Sequence, residues 1–143
     1  MKIIALMFLA GLLGVVAEAQ PSEMRVSGAV VKGEVLAVIQ GQLAAFRAGE
    51  FERGYGFAAA LLRAQIPLER FAQLVRESYP KIWTNTRADF GIMQDDGVRA
   101  TVTARVFAKD GGSARYDYML VKEGSAWRIT GVLRHEAKEA TRA

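Results

Sequence analysis

The chain has no cysteine, one histidine and three prolines in 143 residues. Without cysteine there is no disulfide, no thiol nucleophile and no thiolate metal site, so any core must stand on packing alone. One histidine excludes His-rich metal centres and argues against a His-centred triad. No basic run is interleaved with aromatics, as single-strand nucleic-acid readers require. The arginines from Arg47 to Arg128 are instead dispersed among acids, within a formal net charge of +4. No nucleic-acid partner, metal or cofactor is therefore expected, and attraction to anionic surfaces is weak and unspecific. Beyond the N-terminal segment, no stretch reads as long and apolar enough to span a bilayer.

That N-terminal segment has the form of an export signal. Lys2 is a short basic start, Ile3 to Val16 is apolar, and Ala17-Glu18-Ala19 puts small residues where a signal peptidase reads. The apolar run is shorter than the roughly 20 residues a membrane span needs. The expectation is a signal peptide over 1–19, cleaved after Ala19, and a periplasmic or secreted chain without a stable membrane anchor. Lys2 and Glu18 leave together, so the formal charge is unchanged. The remainder divides into an arm (20–28), one domain (29–134) and a charged tail (135–143).

Within the domain, hydrophobic spacing places the elements. Ser27 is a candidate cap for a helix from Ala29. Val35, Leu36, Ile39, Leu43 and Phe46 form its inner stripe. Lys32, Glu34, Gln42 and Arg47 read as mostly outward, and Gly49 as the stop. Phe51, Tyr55, Ala58 and Leu62 continue at helical offsets, which predicts a second helix interrupted in composition by Gly54 and Gly56. Such glycines either loosen a helix or admit a close neighbour. Pro67 suits the start of a third helix through Phe71, Leu74 and Val75, which ends before Pro80.

After Trp83 the period changes to two. Strands are expected over 87–94, from Val98 to Ala108, through Tyr116–Leu120, and around Trp127–Leu133. Asp95-Asp96-Gly97, Asp110-Gly111-Gly112 and Gly124-Ser125 separate them. If Gly112 takes the left-handed position, Val106 faces Tyr116, Ala104 faces Tyr118, Val102 faces Leu120, and Arg105 faces Asp117. The last hairpin would set Tyr118 opposite Gly131. Three helices followed by a four-stranded antiparallel meander make an α+β fold. Its inner sheet face carries Val102, Ala104, Val106, Tyr116, Tyr118, Leu120, Trp127 and Ile129. The outer face carries Phe107, Met119, Val121 and Val132, a candidate homodimer contact or an ordinary mixed surface.

The stretches "VIQGQLAAFRAGEFERGYGFA", "PLERFAQLVRESYP" and "WRITGVL" resemble the bacterial family called domain of unknown function 4864, over roughly residues 35–134. The resemblance implies membership of the nuclear-transport-factor-2-like superfamily: a bent sheet wrapped around helices as a cone, often with a pocket at its open end. It implies no activity, since related members include isomerases, dehydratases and plain binding domains. Two departures stand out. Gly49-Glu50 replaces the family's Gly-Asp, and Ala59-Ala60 replaces a Ser-Pro break, which predicts that the second helix runs on toward Arg63.

Candidate pocket residues are Phe46, Tyr55, Phe71, Tyr79, Trp83, Tyr116, Tyr118 and Trp127. Aromatic-lined apolar pockets with few polar groups are the usual small-ligand sites, and a filled core is the alternative. Tyr116 and Tyr118 would orient a carbonyl if they faced a pocket. Otherwise they pack in the core with hydroxyls bonded to backbone. Asp89 reads as outward, Asp117 as paired with Arg105, and His135 as solvated in the tail without an orienting partner. The leading reading is a binding protein for a small apolar ligand or a protein partner, as a homodimer. The alternative is an isomerase, dehydratase or hydrolase pairing an inner tyrosine with a carboxylate.

Overall fold

The computed structural model describes residues 23–135. The expected signal peptide and most of the charged tail lie outside those residues. The elements are β1 (Arg25–Val26), α1 (Ala29–Arg47), α2 (Phe51–Tyr55), α3 (Ala60–Gln65), α4 (Leu68–Ser78), α5 (Pro80–Trp83), β2 (Asn85–Asp95), β3 (Arg99–Ala108), β4 (Ser113–Glu123) and β5 (Ala126–Arg134). One antiparallel sheet runs β1-β2-β3-β4-β5. It has five strands where four were expected, because the arm contributes β1, with Arg25 opposite Asp95 and Val26 opposite Gln94. A two-residue strand carries no periodic signal. Ser27 serves this docking too: its backbone N–H donates to Met93 and its hydroxyl to Asp95, while Gly28 occupies the α1 cap position.

α1 lies across the sheet as the core helix. Val35, Ile39, Leu43 and Phe46 are buried against Val102, Ala104, Val106, Tyr116, Tyr118, Leu120, Trp127 and Ile129. Alternation in β3 and β4 thus assigns the inner face as the sequence predicts. α1 is also 19 residues long and apolar enough by composition to cross a membrane, contrary to expectation. Its most apolar face is the one packed on the sheet. It ends where Gly49 takes a positive φ of 75°, a backbone conformation that glycine adopts without a Cβ penalty.

The predicted second helix is broken. α2 ends at Tyr55, a turn follows through Phe57, and residues 57–59 lie beside the edge of β5. The Ile129 N–H donates to Phe57, the Ala59 N–H donates to Ile129, and Ala58 forms an isolated parallel bridge with Ile129. The Glu123 carboxylate then accepts the Ala60 N–H at the start of α3. Pairing with the sheet edge outweighs the helical spacing, so the absence of a Ser-Pro break does not extend the helix. Of the two glycines, Gly54 is a close approach: a Cβ there would stand 2.5 Å from the Phe46 ring. Gly56 meets only carbonyls of its own turn.

Registers also differ. Ala104 pairs with Tyr116, Val102 with Tyr118 and Ala100 with Leu120, a two-residue displacement from expectation. Gly111, with φ of 86°, takes the left-handed turn position in place of Gly112. Either glycine can adopt that conformation, and a slip of two leaves every side chain on its expected face. In β5 an irregularity beside Met119/Leu120 puts Gly131 opposite Met119 and Val132 opposite Tyr118. This bulge turns Val132 from the outer face to the inner one. The remaining outer residues Phe107, Met119 and Val121 are half-buried, with Arg87 lying 3.9 Å over the Phe107 ring.

Candidate functional site

Between the C-terminal half of α1, the α3–α4 corner and β5 lies an open apolar pocket of about 260 Å³. α1 contributes Gln42 and Phe46. The α3–α4 corner contributes Leu62, Ile66, Phe71, Leu74 and Val75. Tyr79 and Ile82 follow, and the bulged stretch Ile129–Leu133 forms the strand wall. The β5 bulge builds this wall by turning Val132 inward. Three of the eight predicted residues line the pocket: Phe46, Phe71 and Tyr79.

The other five have different surroundings. The Tyr55 ring lies 5.0 Å from Phe71, and its hydroxyl is shared between the carbonyls of Arg63 and Ile66 at the end of α3. Trp83 stacks on Phe51 at 4.1 Å, with Phe46 edge-on at 6.1 Å. Trp127 is buried and donates from Nε1 to Glu34 at 3.2 Å. Glu34 is twelve residues from Phe46 along α1, about 18 Å at 1.5 Å per residue, so Trp127 belongs to the other end of the core. Tyr116 and Tyr118 are in the core as the alternative reading has it, but neither hydroxyl finds a partner among the described residues.

Those phenols stay protonated. Burial pushes the Tyr118 hydroxyl far above its ordinary range, and Tyr116 and Tyr79 add to the effect. Burial also raises Tyr116, against a smaller opposing effect of Arg134. Tyr79 is raised by burial, and its hydroxyl donates to the Val132 carbonyl at 2.7 Å. An unpartnered buried hydroxyl is a cost that a phenyl ring of the same shape removes. Tyr118→Phe is therefore expected to raise stability by about 1 kcal/mol, measured as a higher urea midpoint at unchanged denaturant slope.

Neither Asp89 nor Asp117 reaches the inner space, and Glu50 does not either. Glu50 pairs with Arg53 and Asp89 with Arg87, both at 2.8 Å and both exposed. Asp117 is on the outer face, where it accepts from Thr103 at 2.6 Å and contacts His135 Nδ1 at 3.1 Å. Its expected partner Arg105 is instead opposite Arg115. His135 therefore does have an orienting partner. Partial burial would raise the Asp117 carboxyl, but the Thr103 and His135 hydrogen bonds outweigh it and hold it below the ordinary range.

Two polar residues escaped the sequence reading. Gln42, expected to face mostly outward, is only 5% exposed. It stands seven residues after Val35 and four before Phe46, at the middle of the apolar stripe. That spacing was a readable signal. Its Nε2 donates to the Gly54 carbonyl at 2.9 Å, its Oε1 accepts no hydrogen bond among the described residues, and the residue lines the pocket. Asn85 is fully buried and ties α1, α5 and β2 together. Nothing in its sequence context marks it. Among the described residues no group of three or more His, Cys, Asp or Glu gathers as a metal site.

The fold and pocket define an α+β protein whose single antiparallel sheet packs on one long helix, with an apolar recess at one end. The chain matches Domain of unknown function (DUF4864) over residues 30–142 and belongs to that family. Among solved structures it resembles Aln2 from a Streptomyces species, at 13% sequence identity and a TM-score of 0.56, covering 82% of this chain and 98% of that one. At that identity the likeness concerns the fold alone. No curated protein matches.

Proposed function

We propose that this chain is an exported binding protein of the nuclear-transport-factor-2-like type, which holds a small apolar ligand carrying one hydrogen-bond donor. The observation behind this reading is the recess of about 260 Å³ with Gln42, whose Oε1 accepts no hydrogen bond among the described residues, in its otherwise mostly apolar wall. That volume is just below the roughly 300 Å³ at which ordinary ligand pockets begin, which points to a ligand of one or two rings or a short chain. The Gly54 carbonyl can only accept, so it holds the Gln42 amide with Nε2 toward it and leaves the acceptor end free. Binding is favoured over tyrosine–carboxylate catalysis because Glu50, Asp89 and Asp117 stand away from the recess and neither Tyr116 nor Tyr118 lines it. The outer residues Phe107, Met119 and Val121 are the proposed homodimer contact, without Val132.

Native mass spectrometry of the protein from its own host tests export, assembly and ligand together. The expected species is a dimer of chains beginning at Gln20 with a small retained mass. A bare monomer beginning at Met1 would overturn the reading. Phenol and toluene provide a matched pair of probes for the recess. Phenol is expected to bind about tenfold more tightly, near 1.4 kcal/mol, through its donor to Gln42. Gln42→Leu should abolish the preference. Because the readout is a ratio, a general loss of stability does not mimic it.

A further inference from the structure

The outer face of the sheet carries an arrangement that the apolar recess does not use. Asp89 on β2 is opposite Arg105 on β3, and Arg105 is directly opposite Arg115 on β4. The His135 N–H donates to the Arg115 carbonyl, so His135 extends the same row past the end of β5. Like charges directly opposite on neighbouring strands repel, and neither arginine has an ion pair among the described residues. Asp89 is engaged by Arg87. Arg105 reaches only Ser113 Oγ, at 3.4 Å. Asp117, two residues from Arg115 and held down in pKa partly by that residue's charge, is hydrogen-bonded by Thr103 and His135 and forms no ion pair with either arginine among the described residues.

A shallow depression of about 410 Å³ opens beside this row, lined by Phe90, Gly91, Thr103, Arg105, Arg115 and His135, with Asp89 also on its wall. Asp117 holds His135 through Nδ1, and Nε2 has no partner among the described residues. We propose that this depression binds a tetrahedral oxyanion of the phosphate type between Arg105 and Arg115, with His135 Nε2 as a third donor when the imidazole is protonated. Guanidinium forks match phosphate oxygens in pairs of parallel hydrogen bonds. An anion between the two arginines turns their mutual repulsion into shared attraction. Donors from two strands and a third residue suit a tetrahedral anion better than a planar carboxylate.

Calorimetric titration of the full chain tests this at constant ionic strength, with chloride as the control. One arm uses inorganic phosphate. A second uses phosphatidylcholine vesicles containing phosphatidic acid, so that free phosphate and a lipid headgroup are told apart. Saturable binding in either arm that falls about tenfold or more in Arg105→Ala and in Arg115→Ala, and several-fold in Arg115→Lys, supports the site. Sulfate binding should also fall several-fold in His135→Ala, which removes the imidazole donor from the depression. Absence of saturable binding in both arms, or binding that survives both alanine substitutions, would overturn the proposal. Neither outcome bears on the apolar recess, which the phenol–toluene ratio tests separately.

Discussion

Asn85→Ala is expected to lower the free energy of unfolding by about 2–4 kcal/mol, since it removes hydrogen bonds from a site that water does not reach. In the intact protein Nδ2 donates to the Leu43 carbonyl at 3.0 Å and the Ile82 carbonyl at 2.8 Å. Oδ1 accepts from Arg47 Nη1 at 2.6 Å. Leu43 and Arg47 belong to the end of α1, Ile82 to α5, and Asn85 itself begins β2. One side chain of β2 therefore satisfies polar groups from two helices, α1 and α5, at the point where the helices give way to the sheet. Alanine leaves the Ile82 carbonyl facing an apolar void and frees the Arg47 guanidinium. Asn85→Asp should be at least as damaging, because a carboxylate oxygen would then face two carbonyl oxygens. Urea denaturation checks both variants, with a lower midpoint at unchanged slope as the expected result. A loss below about 0.5 kcal/mol, the size of an ordinary surface substitution, would mean that Asn85 is not the tie described here.

Phe46→Ala is expected to cost about 3–5 kcal/mol, the range for a buried aromatic ring whose neighbours relax only partly. Phe46 is buried among Phe51, Trp83 and Phe71 at centroid distances of 6.0, 6.1 and 6.2 Å, and it also forms part of the recess wall. Truncation enlarges the recess, so toluene should recover part of the lost stability in this variant more than in the wild type. Gly54 supplies a second check. A Cβ at position 54 collides with the Phe46 ring in the wild type, so Gly54→Ala should destabilise it. In the Phe46→Ala background the collision is gone, and the same substitution should be neutral or stabilising, because alanine is the better helix former by about 1 kcal/mol. Thermal and urea unfolding of the four proteins measure that coupling directly. Additive effects would show that Gly54 is not held small by Phe46.

These two residues illustrate what could be read in advance. Phe46 follows from periodicity: it is seven residues after Ile39 and lies on one stripe with Val35, Ile39 and Leu43. Gln42 is legible by the same arithmetic once a polar residue is allowed inside the stripe. Asn85 is not legible, since its value comes from carbonyls 42 and 3 residues away in sequence. Of the candidate pocket, Phe46, Phe71 and Tyr79 come together around the recess. Tyr116, Tyr118 and Trp127 are ordinary strand aromatics that the sequence cannot sort between core and cavity. The unexpected partner of His135 has the same origin, because Asp117 reaches it only through the β4–β5 pairing.

The sequence by itself determined the run of helices followed by the strands β2 to β5, the inner and outer faces of β3 and β4, and the apolar buried residues of α1, though not the helix count, which is five among the described residues where three were expected. These depend on periods of two and 3.6 residues, which are local properties of the chain. Tertiary structure decided the partners. It chose Gly111 over Gly112, because a two-residue slip keeps both faces and differs only in cross-strand contacts. It broke the second helix to pair residues 57–59 with Ile129, and recruited Arg25–Val26 as an edge strand. It also placed the bulge that turns Val132 inward and gives the recess its wall. Each of these outcomes turns on backbone groups finding donors and acceptors far away in sequence, and no local pattern encodes which distant group will be there.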